Sequence, residues 1–221
     1  MLINQPEMVI NCLKENEVPV RIGIMGGVFD PIHIGHLFTA EEARIQFKLK
    51  KVIFVPCLQP THKRNEEVSN VKHRLTMTYL AVQSNPYFEV SEIEVNRPGP
   101  SYTIDTIKEF RNIYGWEAEI YFITGADAFL EIDTWYKKDE LLKLCQFVAA
   151  TRPGYDLARL HNNFKKVLKI MEIPALAISS TDIRYRIKNG LSIKYIVLEE
   201  VREYIYKHNL YLQNSQRNNV C

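Results

Sequence analysis

Two patterns of apolar positions alternate along the chain. Short apolar segments rich in β-branched and aromatic residues predict buried strands, and longer segments with an apolar residue every three or four positions predict amphipathic helices. This alternation is typical of βαβ units, in which helices cover both faces of a parallel sheet. Six strands are predicted, at residues 20–25, 52–56, 88–93, 120–124, 147–151 and 175–178. The pattern therefore predicts a doubly wound α/β fold.

The predicted helices carry recognisable start and stop signals. Leu75, Tyr79, Leu80 and Val82 have near-helical spacing behind Ser69, a candidate helix cap. A second helix should end at Gly115, and two closing helices are predicted in "TDIRYRIKNG" and "KYIVLEEVREYIYKHNLY". The first 20 residues could form a short helix or an unstructured leader, and residues 213–221 are a polar tail. The expected organisation is a leader (1–20), one domain (21–212) and a tail (213–221).

Composition narrows the classes of partner. The chain has 221 residues, of which 46% are hydrophobic, and its formal net charge is only +2. So small a charge does not favour a nucleic-acid groove or an anionic membrane surface. The four cysteines form no C-x-x-C pair, and there is neither a secretion signal nor an 18-residue apolar run. We therefore expect a soluble cytoplasmic protein.

Polar clusters follow the carboxyl ends of five predicted strands. They are "GGVFDPIHIGH" after the first strand, "PTHK" after the second, "TGAD" after the fourth, "TRPG" after the fifth and "SSTDIR" after the sixth. In an open parallel sheet these ends share one edge, where ligands bind at the point at which the strand order reverses. The clusters should therefore meet in space.

The first cluster contains a pair of histidines, His33 and His36, that allows four interpretations. They could bind zinc, act as acid and base, bind phosphate or simply start a helix. Zinc needs three or four ligands, and the nearest candidates, Cys57 and His62, lie in another loop. A helix N-terminus favours anions, and the other polar clusters are predicted at the same edge of the sheet. Both observations favour the phosphate-binding interpretation. The loop matches neither the P-loop nor the G-x-G-x-x-G pattern.

These segments resemble a known family. "GGVFDPIHIGHL" resembles the signature of the nucleotidyltransferase superfamily, with its H-x-G-H element at residues 33–36. The further segments "PTHK", "PSYTIDT", "TGADAFLEIDTWYKKDELL", "TRPG" and "ISSTDIR" resemble bacterial nicotinate mononucleotide adenylyltransferases in order and spacing, from about residue 22 to 210. The resemblance implies a Rossmann-like fold. It also implies transfer of AMP from ATP to nicotinate mononucleotide, giving nicotinate adenine dinucleotide and pyrophosphate in NAD biosynthesis.

The resemblance also implies site residues. The catalytic residues would be His33, His36 and Arg184. ATP would be bound by Gly26, Gly27, His33, His36, Lys63, Gly125, Asp127, Arg152, Ser179, Ser180, Thr181 and Arg184. Nicotinate mononucleotide would be bound by Gly26, Phe29, Lys63, Thr103, Trp135 and Tyr136. Arg184 would neutralise the pyrophosphate, Asp127 would bind ribose, Arg152 would lie near the adenine, and Trp135 would stack on the nicotinate ring.

Each of these residues also has a structural interpretation. Lys63 could be a solvated lysine, Ser179 and its neighbours an ordinary helix cap, Asp127 another cap, and Trp135 a packing residue. Mg²⁺ is expected to arrive with ATP, without a dedicated protein site. The expected partners are the two small substrates, with no nucleic acid or membrane, and a homo-oligomer stays open. The rivals are a transferase of the same superfamily acting on nicotinamide mononucleotide or phosphopantetheine, and a non-catalytic nucleotide- or RNA-binding module.

Overall fold

The computed structural model of the chain describes residues 19–59, 68–151, 164, 166–174 and 176–212. Two of the predicted site residues, Lys63 and Arg152, lie outside this part of the chain, as do most of the expected leader and the tail. Among the described residues, no helix is both long and apolar enough to span a membrane.

Six parallel strands form a single sheet. They are β1 (Arg21–Gly27), β2 (Lys51–Pro56), β3 (Phe88–Val90), β4 (Glu119–Gly125), β5 (Gln146–Thr151) and β6 (Leu168–Glu172). Their order across the sheet is β3-β2-β1-β4-β5-β6, with every neighbouring pair parallel. This is the order of Rossmann-like folds, and it reverses between β1 and β4. The predicted doubly wound sheet is confirmed.

Helices connect the strands and close the fold. They are α1 (Ile34–Gln46), α2 (Val71–Val82), α3 (Thr103–Tyr114), α4 (Ala126–Leu130), α5 (Lys138–Leu144), α6 (Ser180–Lys188) and α7 (Glu199–Lys207), with a short 3-10 helix at Ile132–Thr134. Helix α3 ends at Gly115 as predicted, where a φ of 76° suits glycine. The cap of α2 was predicted wrongly. Asn70 caps this helix by accepting from the Lys72 N–H at 2.9 Å, whereas the Ser69 N–H donates to Asp30.

Alternate residues of each strand enter two cores, one on each face of the sheet. Ile24 packs on the face covered by α3 and α5, and its neighbour Met25 packs on the face covered by α1, α2, α6 and α7. This alternation follows from the two-residue repeat of a strand, and burial on both faces explains why the central strands are continuously apolar.

The sixth strand was predicted in the wrong place. It is Leu168–Glu172, which pairs with β5, whereas residues 176–178 belong to no strand. As an edge strand, β6 is only partly covered, with Leu168 and Met171 buried and Lys169 and Ile170 exposed. Because buried and exposed residues are mixed in β6, its sequence lacks the continuous apolar pattern of a buried strand. The apolar segment "ALAI" before α6 has that pattern, although residues 176–178 form no strand.

Candidate active site

The histidine pair starts helix α1 at the edge of the sheet. His33 is the N-cap residue, and its backbone N–H donates to Nδ1 of His36 at 3.2 Å. The two rings stack with centroids 3.7 Å apart and planes 26° apart. Both histidines also line a cavity. The helix-start and ligand-binding interpretations are therefore compatible with each other.

The contacts of the pair determine its protonation. Burial lowers the pKa of His33 to about 4. Burial, together with the charge of His33, holds the pKa of His36 well below its ordinary value of 6.5. Both rings are therefore neutral at pH 7. Because Nδ1 of His36 accepts a hydrogen bond, its proton is on Nε2, which can donate to a ligand. Nδ1 of His33 is buried and has no hydrogen-bond partner among the described residues.

The first cavity has a volume of about 530 Å³ and lies beyond the ends of β1, β4 and β5, against the start of α6. Elements far apart in sequence thus converge, as the edge clusters predict. Eight of the predicted site residues line the cavity: Gly26, His33, His36, Gly125, Asp127, Ser179, Ser180 and Thr181.

The start of α6 is fastened to the loop that carries the histidines. Ser179 caps the helix by accepting from the Asp182 N–H at 3.0 Å, and the Ser180 hydroxyl donates to the Pro31 carbonyl at 2.9 Å. Arg184 donates to the Asp30 carbonyl at 2.8 Å and contacts the Thr181 hydroxyl at 3.3 Å. The cap interpretation of Ser179 therefore holds in the structure, although Ser179 also faces the cavity.

A second cavity, of about 270 Å³, lies on the other side of β1 and shares Gly26 and Thr124 with the first. Among the residues that line it are four further predicted site residues: Gly27, Thr103, Trp135 and Tyr136. The two cavities therefore meet at the point between β1 and β4 where the strand order reverses, the usual ligand position in such sheets.

Aromatic rings and a helix start build the second cavity. Trp135 packs against Phe122 in a T-shaped arrangement with centroids 5.9 Å apart, and Tyr136 packs on Tyr102 at 4.6 Å. Helix α3 begins at Thr103, and no side chain in the described part of the chain caps its N-terminus. The first N–H groups of this twelve-residue helix therefore provide a place for an anion beside the aromatic rings.

Phe29 supports the site from within the core. Its side chain is only 2% exposed and lines neither cavity, and its ring meets His36 edge-on at 5.1 Å. The same ring explains why residue 27 is a glycine, because a Cβ at that position would lie 2.8 Å from the ring. The structure therefore places Phe29 behind His36, outside the lining of both cavities.

Sequence reasoning missed Arg74, which joins the loops around the site. Its guanidinium is almost fully buried and donates to backbone carbonyls of three segments. The acceptors are Val28 and Cys57 at 2.8 Å, Ser69 at 3.0 Å and Leu58 at 3.2 Å. The available signal was an arginine at helical spacing from Met77 and Ala81, which lie with it on the buried face of α2. Burial of such a residue calls for hydrogen-bond acceptors close by.

Sequence reasoning also missed Glu94, a buried carboxylate in the second cavity. It accepts from the Thr106 hydroxyl at 2.5 Å, and that hydroxyl accepts in turn from Arg97 at 2.9 Å. Burial raises the pKa of Glu94. The network links the segment before α3 to the first turn of the helix, so it stiffens the wall that carries Thr103.

No group of three or more His, Cys, Asp or Glu side chains suited to a metal ion occurs within the described ranges. Within the first cavity, Asp127 is the one carboxylate among the described lining residues, and the other polar side chains are two imidazoles and the hydroxyls of serine and threonine residues. This donor set fits an ion held mainly by the phosphates of a nucleotide and by water, as Mg²⁺ commonly is.

Comparison with known proteins identifies the family. Residues 24–186 match the sequence model of the cytidylyltransferase-like family. The chain is 55% identical over 207 residues to a probable nicotinate-nucleotide adenylyltransferase of Thermoanaerobacter sp. (strain X514), covering 90% of this chain and 98% of the relative. It is 56% identical over 200 residues to a relative of the same name from Moorella thermoacetica (strain ATCC 39073 / JCM 9320), covering 87% and 92%.

The chain belongs to the nicotinate-nucleotide adenylyltransferase family. The resemblance of its motifs to that family is therefore confirmed. Among solved structures, it is similar to a Plasmodium falciparum nicotinic acid mononucleotide adenylyltransferase complexed with NaAD. The TM-score is 0.72 at 21% identity, covering 87% of this chain and 97% of the other. At that identity the likeness shows that the two proteins share a fold.

Proposed function

We propose that the chain transfers AMP from ATP to nicotinate mononucleotide, giving nicotinate adenine dinucleotide and pyrophosphate. The observation that carries this proposal is the junction of two cavities at Gly26 and Thr124, with the histidine pair lining the larger cavity. A transfer between two nucleotides needs two adjoining sites, so that the acceptor phosphate reaches the α-phosphorus of ATP.

ATP occupies the first cavity in this proposal. His36 donates through Nε2 to the α-phosphate, and the first backbone N–H groups of α6 bind the remaining phosphates. Because the Ser180 hydroxyl is engaged by Pro31, Ser180 contributes through its backbone. Gly125 leaves room for the nucleoside and Asp127 binds the ribose hydroxyls. Lys63 and Arg152, which lie outside the described residues, add positive charge and an adenine contact.

Nicotinate mononucleotide occupies the second cavity. Trp135 presents its indole to the nicotinate ring, with Tyr136 beside it. The uncapped N-terminus of α3 at Thr103 supports a preference for the acid over the amide, because backbone N–H groups and the helix dipole stabilise a carboxylate. The neutral amide gains less from such a site.

The reaction needs little help from a base. A phosphate monoester has its second pKa at about 6, so the acceptor is mostly dianionic at neutral pH. One of its oxygens forms a bond to the α-phosphorus of ATP. The bond from that phosphorus to the oxygen between the α- and β-phosphates breaks, and this oxygen leaves as a terminal oxygen of pyrophosphate. His33 and His36 stabilise the charge at the α-phosphate, and Arg184 neutralises the leaving pyrophosphate. Mg²⁺, bound with ATP, would neutralise further phosphate charge.

We further propose that the partners are these small molecules rather than nucleic acid or a membrane, and that the protein is cytoplasmic. Cys57 and Cys145, the two cysteines in the described part of the chain, are buried and free, as expected in a reducing compartment.

A pyrophosphate-release assay tests the function. Purified protein is mixed with ATP, Mg²⁺ and either nicotinate or nicotinamide mononucleotide, and each is also omitted in turn. We expect release that depends on all components and a higher kcat/KM for the acid. Phosphopantetheine as acceptor serves as a negative control.

Each proposal has its own contrary result in this assay. Absence of pyrophosphate with either mononucleotide would contradict the transferase function and favour a non-catalytic nucleotide-binding module. Clear preference for the amide would contradict the acid specificity alone. Release with phosphopantetheine would favour the other transferase class.

A further inference from the structure

The C-terminal segment after α7 returns to the loop between β1 and α1. The Tyr211 hydroxyl donates to Oδ1 of Asp30 at 2.7 Å, across 181 positions of sequence. Asp30 is only 3% exposed, so this hydrogen bond is made away from water. Burial and the Asp30 carboxylate raise the pKa of Tyr211, so its hydroxyl remains a donor at neutral pH.

Asp30 is the point at which several segments meet. Its second carboxylate oxygen accepts from the Ser69 N–H at 3.1 Å, and its backbone carbonyl accepts from Arg184 at 2.8 Å. His33, three residues later, is the N-cap of α1. Displacement of Asp30 would therefore move the start of α1 and with it the His33–His36 pair.

We propose that Tyr211 is a positioning residue, which holds the H-x-G-H loop through Asp30 in the geometry that adenylyl transfer requires. The proposal rests on the proposed function. Loss of the hydroxyl leaves a buried carboxylate oxygen without its partner, so the loop must shift to regain a hydrogen bond. A displacement of about 1 Å at reacting groups can reduce a rate by about 100-fold.

The test is Tyr211→Phe, which removes one oxygen and keeps the ring. We expect kcat to fall by about tenfold, which lies between the effect of losing one hydrogen bond and the effect of a displacement of about 1 Å at the reacting groups. Both KM values should stay within about twofold of wild type. Urea unfolding measures the folded fraction. Saturating substrates stabilise the folded state during the measurement of kcat.

Tyr204→Phe is the matched control. The Tyr204 hydroxyl also has a side-chain partner, Nδ1 of His73 at 2.9 Å, but this contact lies between α7 and α2, and neither residue lines either of the two cavities of the proposed site. We expect this variant to lose some stability and to keep the wild-type kcat. An equal fall of kcat in both variants would show a general structural effect and overturn the proposal.

A third arm asks whether Tyr211 acts through the histidine pair. In a His36→Ala background the loop no longer carries its main donor, so Tyr211→Phe should reduce the residual kcat by less than about twofold, as coupled residues do. A full tenfold fall in that background, or an unchanged kcat in the single variant, would contradict the proposal. If wild-type protein releases no pyrophosphate, the proposed function fails before this inference is reached.

Discussion

At the scale of single residues, the histidine pair has a structural role to which the proposed function adds a chemical one. His33 starts α1 and His36 closes the same turn by accepting its N–H, yet both rings face the cavity. The hydrogen bond to Nδ1 directs the His36 proton to Nε2, so a neutral donor is prepared before substrate binds. Phosphate binding therefore requires no proton transfer.

Replacement of His36 by alanine tests this role. Removal of one preorganised donor should lower kcat by about 100- to 1000-fold, with the fold intact. His73→Ala is the matched control, because His73 lines neither cavity and should be replaceable with little loss of kcat. Pyrophosphate release measures both variants. A near-normal kcat for His36→Ala would contradict a chemical role and show that this residue is only structural.

Burial of His33 also predicts a pH dependence of stability. Its pKa is lowered from 6.5 to about 4 in the folded state, so the unfolded chain binds more protons between these values. The free energy of unfolding should therefore fall as the pH drops from 6.5 to 4, by about 3 kcal/mol for this group. Urea unfolding at several pH values measures it.

His33→Asn should reduce that acid-dependent loss, because the asparagine side chain does not titrate in this range. The comparison is made relative to each protein's own stability at pH 7. An unchanged slope between pH 6.5 and 4 in the variant would contradict the assignment to His33.

At the scale of elements, strand β1 lies where the two cavities meet, and in the proposed function it determines where the two substrates meet. It is the central strand at which the order reverses, and it ends in Gly26 and Gly27. Gly26 lines both cavities, whereas Gly27 lies against the ring of Phe29. The two glycines are therefore required for different reasons, one for access and one for packing.

Substitution of each glycine by alanine distinguishes the requirement for access from the requirement for packing. At Gly26 a Cβ would lie 3.4 Å from the Phe122 ring, so Gly26→Ala should fold with little loss of stability. Its methyl group would nevertheless stand where both substrates pass, and we expect kcat/KM to fall by about tenfold or more. Gly27→Ala should instead be destabilised by about 1–3 kcal/mol through overpacking. Urea unfolding and initial rates measure the two effects. Full activity of Gly26→Ala would contradict the proposed junction.

At the scale of the whole molecule, the fold keeps the two cavities, which are the proposed substrate sites, distinct until they meet at β1. The first cavity is bounded by α1 and α6, and the second by α3 and the segment around Trp135. Changes deep in one cavity should therefore alter the binding of one substrate alone.

Trp135→Ala tests this separation. Loss of the stacking surface should raise KM for nicotinate mononucleotide by about tenfold. This corresponds to the loss of an aromatic pair, worth about 0.5–1.5 kcal/mol, together with the loss of apolar contact. The KM for ATP should stay near wild type. Trp116→Ala is the control, because Trp116 is 72% exposed and precedes the amino end of β4, at the opposite edge from the site. Equal changes in both KM values for Trp135→Ala would contradict two separate sites.

Much of the architecture could be read from the sequence because its signals are local. The apolar segments predicted five strands, and the H-x-G-H element together with the other strand-end clusters predicted the edge at which the two cavities lie. The prediction of the sixth strand failed for a physical reason. Strand β6 lies at the sheet edge, so half of its positions need not be apolar, and its exposed Lys169 and Ile170 break the expected pattern.

What the sequence determined by itself was the doubly wound fold, the helix start at the histidine pair and the family. Only the tertiary structure decided which polar residues hold the site together. Arg74 reaches four carbonyls, and Tyr211 reaches Asp30 across most of the chain. Periodicity records which face of an element is buried, but not which distant acceptor a buried donor meets. That depends on how the packed elements bring distant residues together.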